Sequence, residues 1–297
     1  VPDNEFSLLR RPIGAHAPST GGLATGSLRY ATAVGAEAIQ VFVSNPRGWA
    51  PSAGDAVQDA AAGERARLAG IPVFVHAPYL VNVASPDPRI RDLSADALRH
   101  SLARGARIGA RGVVVHTGSA VGTDRVTALR QVRECLLPIL DHLSGDGPDL
   151  LLEPMAGQGQ MLCSAVADLG PYLDVLDWHP RANVCLDTCH LFAAGHDLAE
   201  PDGVTKMLSE LQAAAGPGRL RLIHANDSKD GCGSRKDRHE NIGAGQIGLA
   251  PFGCLLRHPA TAGVPFVVET PGGEQAQAKD IAALRSLRDS KQPAERP

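Results

Sequence analysis

Short apolar runs recur along the chain, and most of them stop at a polar residue of one kind. Residues 71–76 read IPVFVH, 111–116 RGVVVH, 149–153 DLLLE, 182–187 ANVCLD, 219–224 RLRLIH and 264–269 VPFVVE. They close on His76, His116, Glu153, Asp187, His224 and Glu269. Two earlier runs have a similar shape: RPIGAH, ending at His16, and AEAIQVFV, ending at Val43 before SNPRGW. Runs that are apolar throughout, without alternation, suit strands buried on both faces. The intervening segments are mostly rich in Ala, Leu and Arg, with apolar residues at three-to-four spacing. They predict helices at 22–34, 54–69, 92–108, 125–144, 160–169, 202–215, 250–258 and 275–288. Gly109, Gly170 and Gly216 fall where helices should stop, and Pro171 and Pro217 reinforce the last two.

Alternation of buried strands with helices implies a parallel sheet. Eight such repeats in roughly 250 residues predict an α/β fold, a single closed (β/α)8 TIM barrel. The strand ends, with their His, Glu and Asp, then meet at the C-terminal face, where barrel enzymes carry their sites. The expected organisation is an N-terminal extension over 1–12, a barrel catalytic domain over 13–289 and a flexible tail over 290–297.

Composition narrows the class. Hydrophobic residues make up 43% and charged residues 21%, ordinary values for a globular protein. No apolar run approaches the ~18 residues of a membrane span, and VPDNEFSLLRRP has no secretory core. The expected location is cytoplasmic. Six cysteines without a CxxC pair read as reduced thiols. A net charge of −3 argues against a strongly basic nucleic-acid binder. It leaves nucleic acid open, because bound cations can supply positive potential locally.

A single His or Asp after a strand is commonly a helix cap or turn former. Six consecutive strand ends of this kind are different: buried charges are costly unless paired or metal-bound. The DTCH stretch adds His190 three residues after Asp187, and Asp237-Arg238-His239 adds two more groups. The candidates are His76, His116, Glu153, Asp187, His190, His224, Asp237, His239 and Glu269. One catalytic zinc needs three protein ligands, so nine suit a cluster of two or three ions. Imidazole mixed with carboxylate favours Zn2+ or Mn2+ over Mg2+ or Ca2+. A water bridging such ions would fall from a pKa of about 15.7 towards ~7 and become a hydroxide nucleophile. The chemistry expected is hydrolysis of a phosphate ester, with no organic cofactor.

The stretches HAPYLVN, LEPMAGQG, LDTCHLFAAGHDL, HANDSKDGCGSRKDRH and NIGAGQIG resemble those of endonuclease IV, the zinc-dependent apurinic/apyrimidinic endonucleases of the xylose-isomerase-like barrels. The likeness runs from about Ile13 to Glu269. It implies a base-excision-repair enzyme that cuts duplex DNA 5′ to an abasic site and leaves a 3′-hydroxyl. It also implies three zinc ions, with Mn2+ possible in part. His76, His116 and Glu153 would hold the first ion. Glu153 would bridge to a second, shared with Asp187, His224 and Glu269. His190, Asp237 and His239 would hold the third. Glu153 and Glu269 are the carboxylates expected to be catalytic. In such enzymes two loops press into the DNA; here they read Asn45-Pro46-Arg47 and Tyr79-Leu80. The expected partner is duplex DNA bearing abasic sites, bound by a monomer without membrane association. Two departures stand out: Pro154 follows the bridging Glu where the family usually has Asn, and Ala120 stands where many relatives carry a second His.

Several other signals are read as structural. Gly243-x-Gly245-x-x-Gly248 matches a dinucleotide fingerprint but follows a polar loop, so it is taken as a turn. Cys189 packs as a small apolar residue, in preference to a zinc ligand. His100, His142, His179, His196 and His258 are expected to be exposed, whereas His16 either packs or hydrogen-bonds a ligand. Two competing functions use the same barrel. One is a sugar isomerase or epimerase, in which His190, Asp237 and His239 have no obvious role. The other is a paralogue that binds abasic DNA without cutting it, a change that Pro154 would permit.

Overall fold

The computed structural model describes residues 10–143 and 145–290. The expected N-terminal extension and C-terminal tail fall almost wholly outside the described residues. Eight parallel strands close into a barrel: β1 Ile13–His16, β2 Ile39–Phe42, β3 Val73–His76, β4 Gly112–His116, β5 Asp149–Glu153, β6 Ala182–Asp187, β7 Leu220–His224 and, last in the chain, β10 Phe266–Val268. A two-residue antiparallel pair, β8 Asp227–Ser228 and β9 His239–Glu240, stands on the loop after β7. The outer ring comprises α1 Leu28–Val34, α2 Ala56–Leu68, α3 Pro88–Arg107, α4 Arg125–Asp141, α5 Leu169–Asp174, α6 Thr188–Ala194, α7 Gly203–Ala215, α8 Leu249–Arg257 and α9 Gly273–Asp289.

The period-two alternation of strand side chains divides the interior into two layers. Val73, Val75, Val113, Val115, Leu150, Leu152, Val184, Leu186 and Phe266 point outward and pack on the helices. The inner cluster is Ala38, Phe74, Val114, Leu151, Cys185, Leu222 and Val267. Two residues further along each of those seven strands stand Gln40, His76, His116, Glu153, Asp187, His224 and Glu269. In β1 the step from Gly14 leads to His16. Gly14 has no room for a side chain, because a Cβ there would meet the Ala38 carbonyl at 1.6 Å. All eight strands therefore place one polar side chain in a ring above an apolar floor.

Helix starts follow capping chemistry. Asp55, Asp87 and Asp124 each accept hydrogen bonds from the first turn of α2, α3 and α4. Pro88 at the head of α3 extends it four residues upstream of the predicted 92–108. The predicted helix over 160–169 is displaced. Asp168 accepts from Ser164 N–H and Ala165 N–H at 3.0 Å each, turning the chain there. Helix α5 begins only at Leu169, with Gly170 and Pro171 in its first turn, not beyond a helix end. A proline is tolerated in that turn because its missing N–H would have no partner within the helix.

Candidate metal centre

Strands β3 to β7 deliver His76, His116, Glu153, Asp187 and His224 directly to the mouth, and Glu269 follows β10 by one residue. Asp187 also caps α6, accepting from His190 N–H at 3.0 Å, and this places the His190 ring over the same centre. The β8–β9 turn returns Asp237 and His239 to it. All nine sequence candidates converge. Glu153 is the hub: its Oε2 lies 3.4 Å from His76 Nε2 and 3.5 Å from His116 Nε2. Its Oε1 lies 3.1 Å from His224 Nδ1 and 3.3 Å from His190 Nδ1. Glu269 Oε2 is 3.3 Å, and Asp187 Oδ2 3.9 Å, from the same His224 nitrogen. On the far side Asp237 spans His190 Nε2 at 3.2 Å and His239 Nε2 at 3.1 Å, while Asp187 Oδ2 lies 3.5 Å from His239 Nε2.

Protonation follows this charge map. Burial acts to raise the Glu153 carboxyl, but His224, His190 and His76 outweigh it and hold the group well below the ordinary range. Asp237 and Glu269 are likewise depressed against the effect of burial, by His190 and His239 in the first case and chiefly by His224 and His16 in the second. Burial lowers imidazoles, yet Asp187, Asp237 and Glu153 overcome it and raise His190 well above its usual value. His224 is also raised, and His239 reaches about 9. His116 shows the opposite balance: burial dominates, and its pKa falls to about 4.

The residues suit bound cations better than they suit each other. Glu153 Oε2 and His239 Nε2 are fully buried and lack a hydrogen bond of acceptable geometry, an arrangement that costs about 1–3 kcal/mol per group. The ligand atoms of His76, His116 and Glu153 lie within 4.8 Å of one another, as do those of Glu153, Asp187 and His224, and those of Asp187, His190 and His239. Two atoms each ~2.1 Å from a tetrahedral zinc stand about 3.4 Å apart, close to the separations around Glu153. Main-chain carbonyls orient the imidazoles: His76 Nδ1 donates to Ala77 O at 2.6 Å and His239 Nδ1 faces Glu269 O at 3.4 Å, while His190 Nδ1 lies between Pro154 O at 3.2 Å and Glu153 Oε1 at 3.3 Å, with its Nε2 on Asp237. Each Nε2 is thereby turned to the centre. Pro154 thus still supplies a carbonyl to His190, and Ala120 is buried with its N–H on Gln160 O at 3.0 Å.

Three residues of the centre were not singled out or not settled by sequence. Gln40 and His16 both meet Glu269 Oε1, at 2.7 and 2.9 Å. Asn226 donates to Asp187 Oδ2 at 2.7 Å and accepts from Glu269 N–H at 2.8 Å. A buried amide inside an otherwise apolar strand run was the available signal for Gln40. His100, His179, His196 and His258 are half-buried, contrary to expectation, and three of them accept from main-chain N–H groups: His196 Nε2 from Val166, His179 Nδ1 from Arg181 and His258 Nδ1 from Ala260. Only His142 of that group is exposed. Cys189 is fully buried and its thiol is pushed up to about 12 by burial and by Asp187, while its Sγ also lies within 4.8 Å of ligand atoms of Asp237 and His239. The glycine fingerprint is occupied by the protein itself: Gly243, Gly245, Ile247 and Gly248 N–H groups all donate to the Asp227 carboxylate.

Beside the centre, Asn45 and Arg47 are exposed, and Asn45 Oδ1 accepts from Arg47 N–H at 3.0 Å. Tyr79 N–H donates to Pro46 O at 2.9 Å, tying the two loops together. The Tyr79 ring lies nearly parallel to His116, with centroids 5.9 Å apart, and edge-on to His76. Tyr79 and Leu80 nevertheless remain 48% and 38% exposed, large apolar groups open to solvent at the rim.

Comparison with known proteins decides the family. The xylose isomerase-like TIM barrel family matches residues 28–287. A protein of Streptomyces coelicolor named "Probable endonuclease 4" is 57% identical over 285 residues, covering 95% of this chain and 97% of that one. The crystal structure of endonuclease IV from Thermus thermophilus superposes with a TM-score of 0.80 at 32% identity, covering 93% and 98% of the two chains. The chain belongs to the endonuclease IV family. It is a nuclease of DNA repair on a TIM barrel. A D-tagatose 3-epimerase-like protein, at 18% identity and a TM-score of 0.70 over 93% and 96% of the chains, shares the fold alone. Among the described residues, no helix is long and apolar enough to cross a membrane.

Proposed function

We propose that this enzyme hydrolyses the phosphodiester 5′ to abasic sites in duplex DNA, using three zinc ions and leaving a 3′-hydroxyl. The observation that carries the reading is the third grouping. His190 and His239 converge on Asp237, beyond the two groupings that share Glu153. A sugar epimerase has no evident use for it. The ion sites are those of the sequence reading: His76, His116 and Glu153; Glu153, Asp187, His224 and Glu269; His190, Asp237 and His239. When bound, the ions would lower the pKa of water and neutralise charge on the phosphodiester and the leaving oxygen.

The protein's own groups set the rest. Depressed carboxyls at Glu153, Glu269 and Asp237 remain charged at neutral pH and ready to ligate. His116 is already neutral and needs to release no proton. The half-exposed Tyr79 and Leu80 suit insertion beside an unstacked nucleotide, and Arg47 suits the minor groove. A nucleotide without a base costs least to extrude, which selects damage without reading sequence. Incubating zinc-loaded protein with a duplex carrying one tetrahydrofuran residue should give a single nick 5′ to it, lost on chelation. An intact duplex would refute the proposal, and if that duplex were still bound, the non-cutting reading would replace it.

A further inference from the structure

Gln40 is the one amide in the ring of eight strand residues, and it is fully buried. Its side chain spans two candidate ligands from different strands. Nε2 lies 2.7 Å from Glu269 Oε1, and Oε1 lies 2.9 Å from His224 Nε2. The orientation is forced by chemistry. An ionised carboxylate can only accept, so the amide NH2 must face Glu269 and the amide oxygen must face His224. His224 must then donate from Nε2, which leaves Nδ1 as its only ligating atom. That is the nitrogen facing Glu153, Glu269 and Asp187. Likewise Glu269 Oε1 is taken up by Gln40 and His16, and Oε2 is the oxygen left toward the centre, 3.3 Å from His224 Nδ1.

We infer that Gln40 is a positioning residue that selects the ligating atoms of the second ion's site, Nδ1 of His224 and Oε2 of Glu269. The inference rests on the proposed metal reading of the ring. It goes beyond that reading because Gln40 would touch neither ion nor DNA. His224 also differs from its neighbours here. His76 and His239 are anchored on main-chain carbonyls, which substitution cannot remove. His224 is anchored on a side chain, so its geometry can be changed by mutation alone.

The test compares zinc-loaded wild type, Gln40→Met and Gln40→Glu by metal analysis, chelator competition and long-range 15N spectra of the imidazoles. Outer partners of metal ligands typically govern affinity by about 10–100-fold. Gln40→Met should therefore weaken one of the three zinc ions by about that factor, leave the other two, and broaden or double the His224 nitrogen signals. Gln40→Glu retains an acceptor for His224 but sets a like charge on Glu269. It should keep the single His224 tautomer while still weakening that ion, and it preserves the test if the Met variant does not fold. Three equally tight ions and an unchanged His224 spectrum in both variants would overturn the inference. Wild type holding no zinc would instead overturn the metal reading on which it stands.

Discussion

Glu269 shows how much one residue carries here. Its Oε1 accepts from Gln40 and His16, its Oε2 faces His224, its N–H is held by Asn226 and its carbonyl faces His239 Nδ1. Because neighbours on several strands fix it, substitution should act on charge and not on fold. Glu269→Gln keeps the volume but removes the negative charge and turns an NH2 donor toward facing donors. We expect cleavage of an abasic duplex to fall at least about 100-fold, more than loss of an outer partner costs. The metal-free variant should keep the far-UV circular dichroism of metal-free wild type at 25 °C, while its melting temperature falls with the lost pairing to His224 and His16. A variant cutting at the normal rate would remove Glu269 from the ligand set.

Between residue and fold, the loops after β2 and β3 behave as one element. Tyr79 N–H bonds to Pro46 O, and beneath them Arg104 of α3 forms a two-pronged pair with Asp59 of α2 and reaches Val43 O. The buried pair holds the loop base, so the exposed Arg47 is presented from a fixed platform. Arg47→Ala should weaken binding to abasic duplex about tenfold, with a shallower dependence on salt, as for loss of one phosphate-tracking cation. Zinc content should not change. Unaltered affinity across salt concentrations would place Arg47 outside the interface. Barrel strands must be apolar, so a His or carboxylate at a strand end stands out, and the barrel and six of the converging residues were legible on that ground, with His190, Asp237 and His239 legible from the DTCH and Asp-Arg-His stretches. Gln40 was not, because it stands two residues before the end of β2 and its inward direction depends on strand parity set by neighbours. The helix after β5 was misplaced for a related reason. Asp168 fixes the turn by capturing Ser164 and Ala165 N–H groups, a local side-chain choice that apolar spacing does not encode.

At the scale of the whole molecule, the barrel stands on an apolar floor from Ala38 to Val267 and carries a crowded ring of charge above it. Without ions, protons must balance that ring. His239, at about 9, and the raised His190 and His224 have folded pKa values above their ordinary unfolded value. The contribution of all three to the metal-free fold is complete below about pH 6.5; that of His239 is lost as pH rises through about 9, and those of His190 and His224 are lost as pH rises through their own raised values. Zinc bound at the ring would have to displace the protons on its ligand atoms, so its affinity should strengthen over the same interval. The two effects have opposite signs in the two forms. Saturating zinc at 1,000 times its dissociation constant adds about 4 kcal/mol per independent site, so chelation should lower the melting temperature by many degrees. The far-UV circular dichroism at 25 °C should be unchanged, because the floor and the helix ring do not depend on the ions. The gap between loaded and stripped protein should widen from pH 6.5 to pH 9, read by calorimetry at fixed free zinc. Carboxylates depressed below their unfolded values, Glu153, Asp237 and Glu269, lose their contribution only as pH falls through the acid range, so they leave this window untouched. A gap that is constant or narrows toward pH 9 would mean that protons and zinc do not compete for the same atoms, and the ring would not be the metal centre.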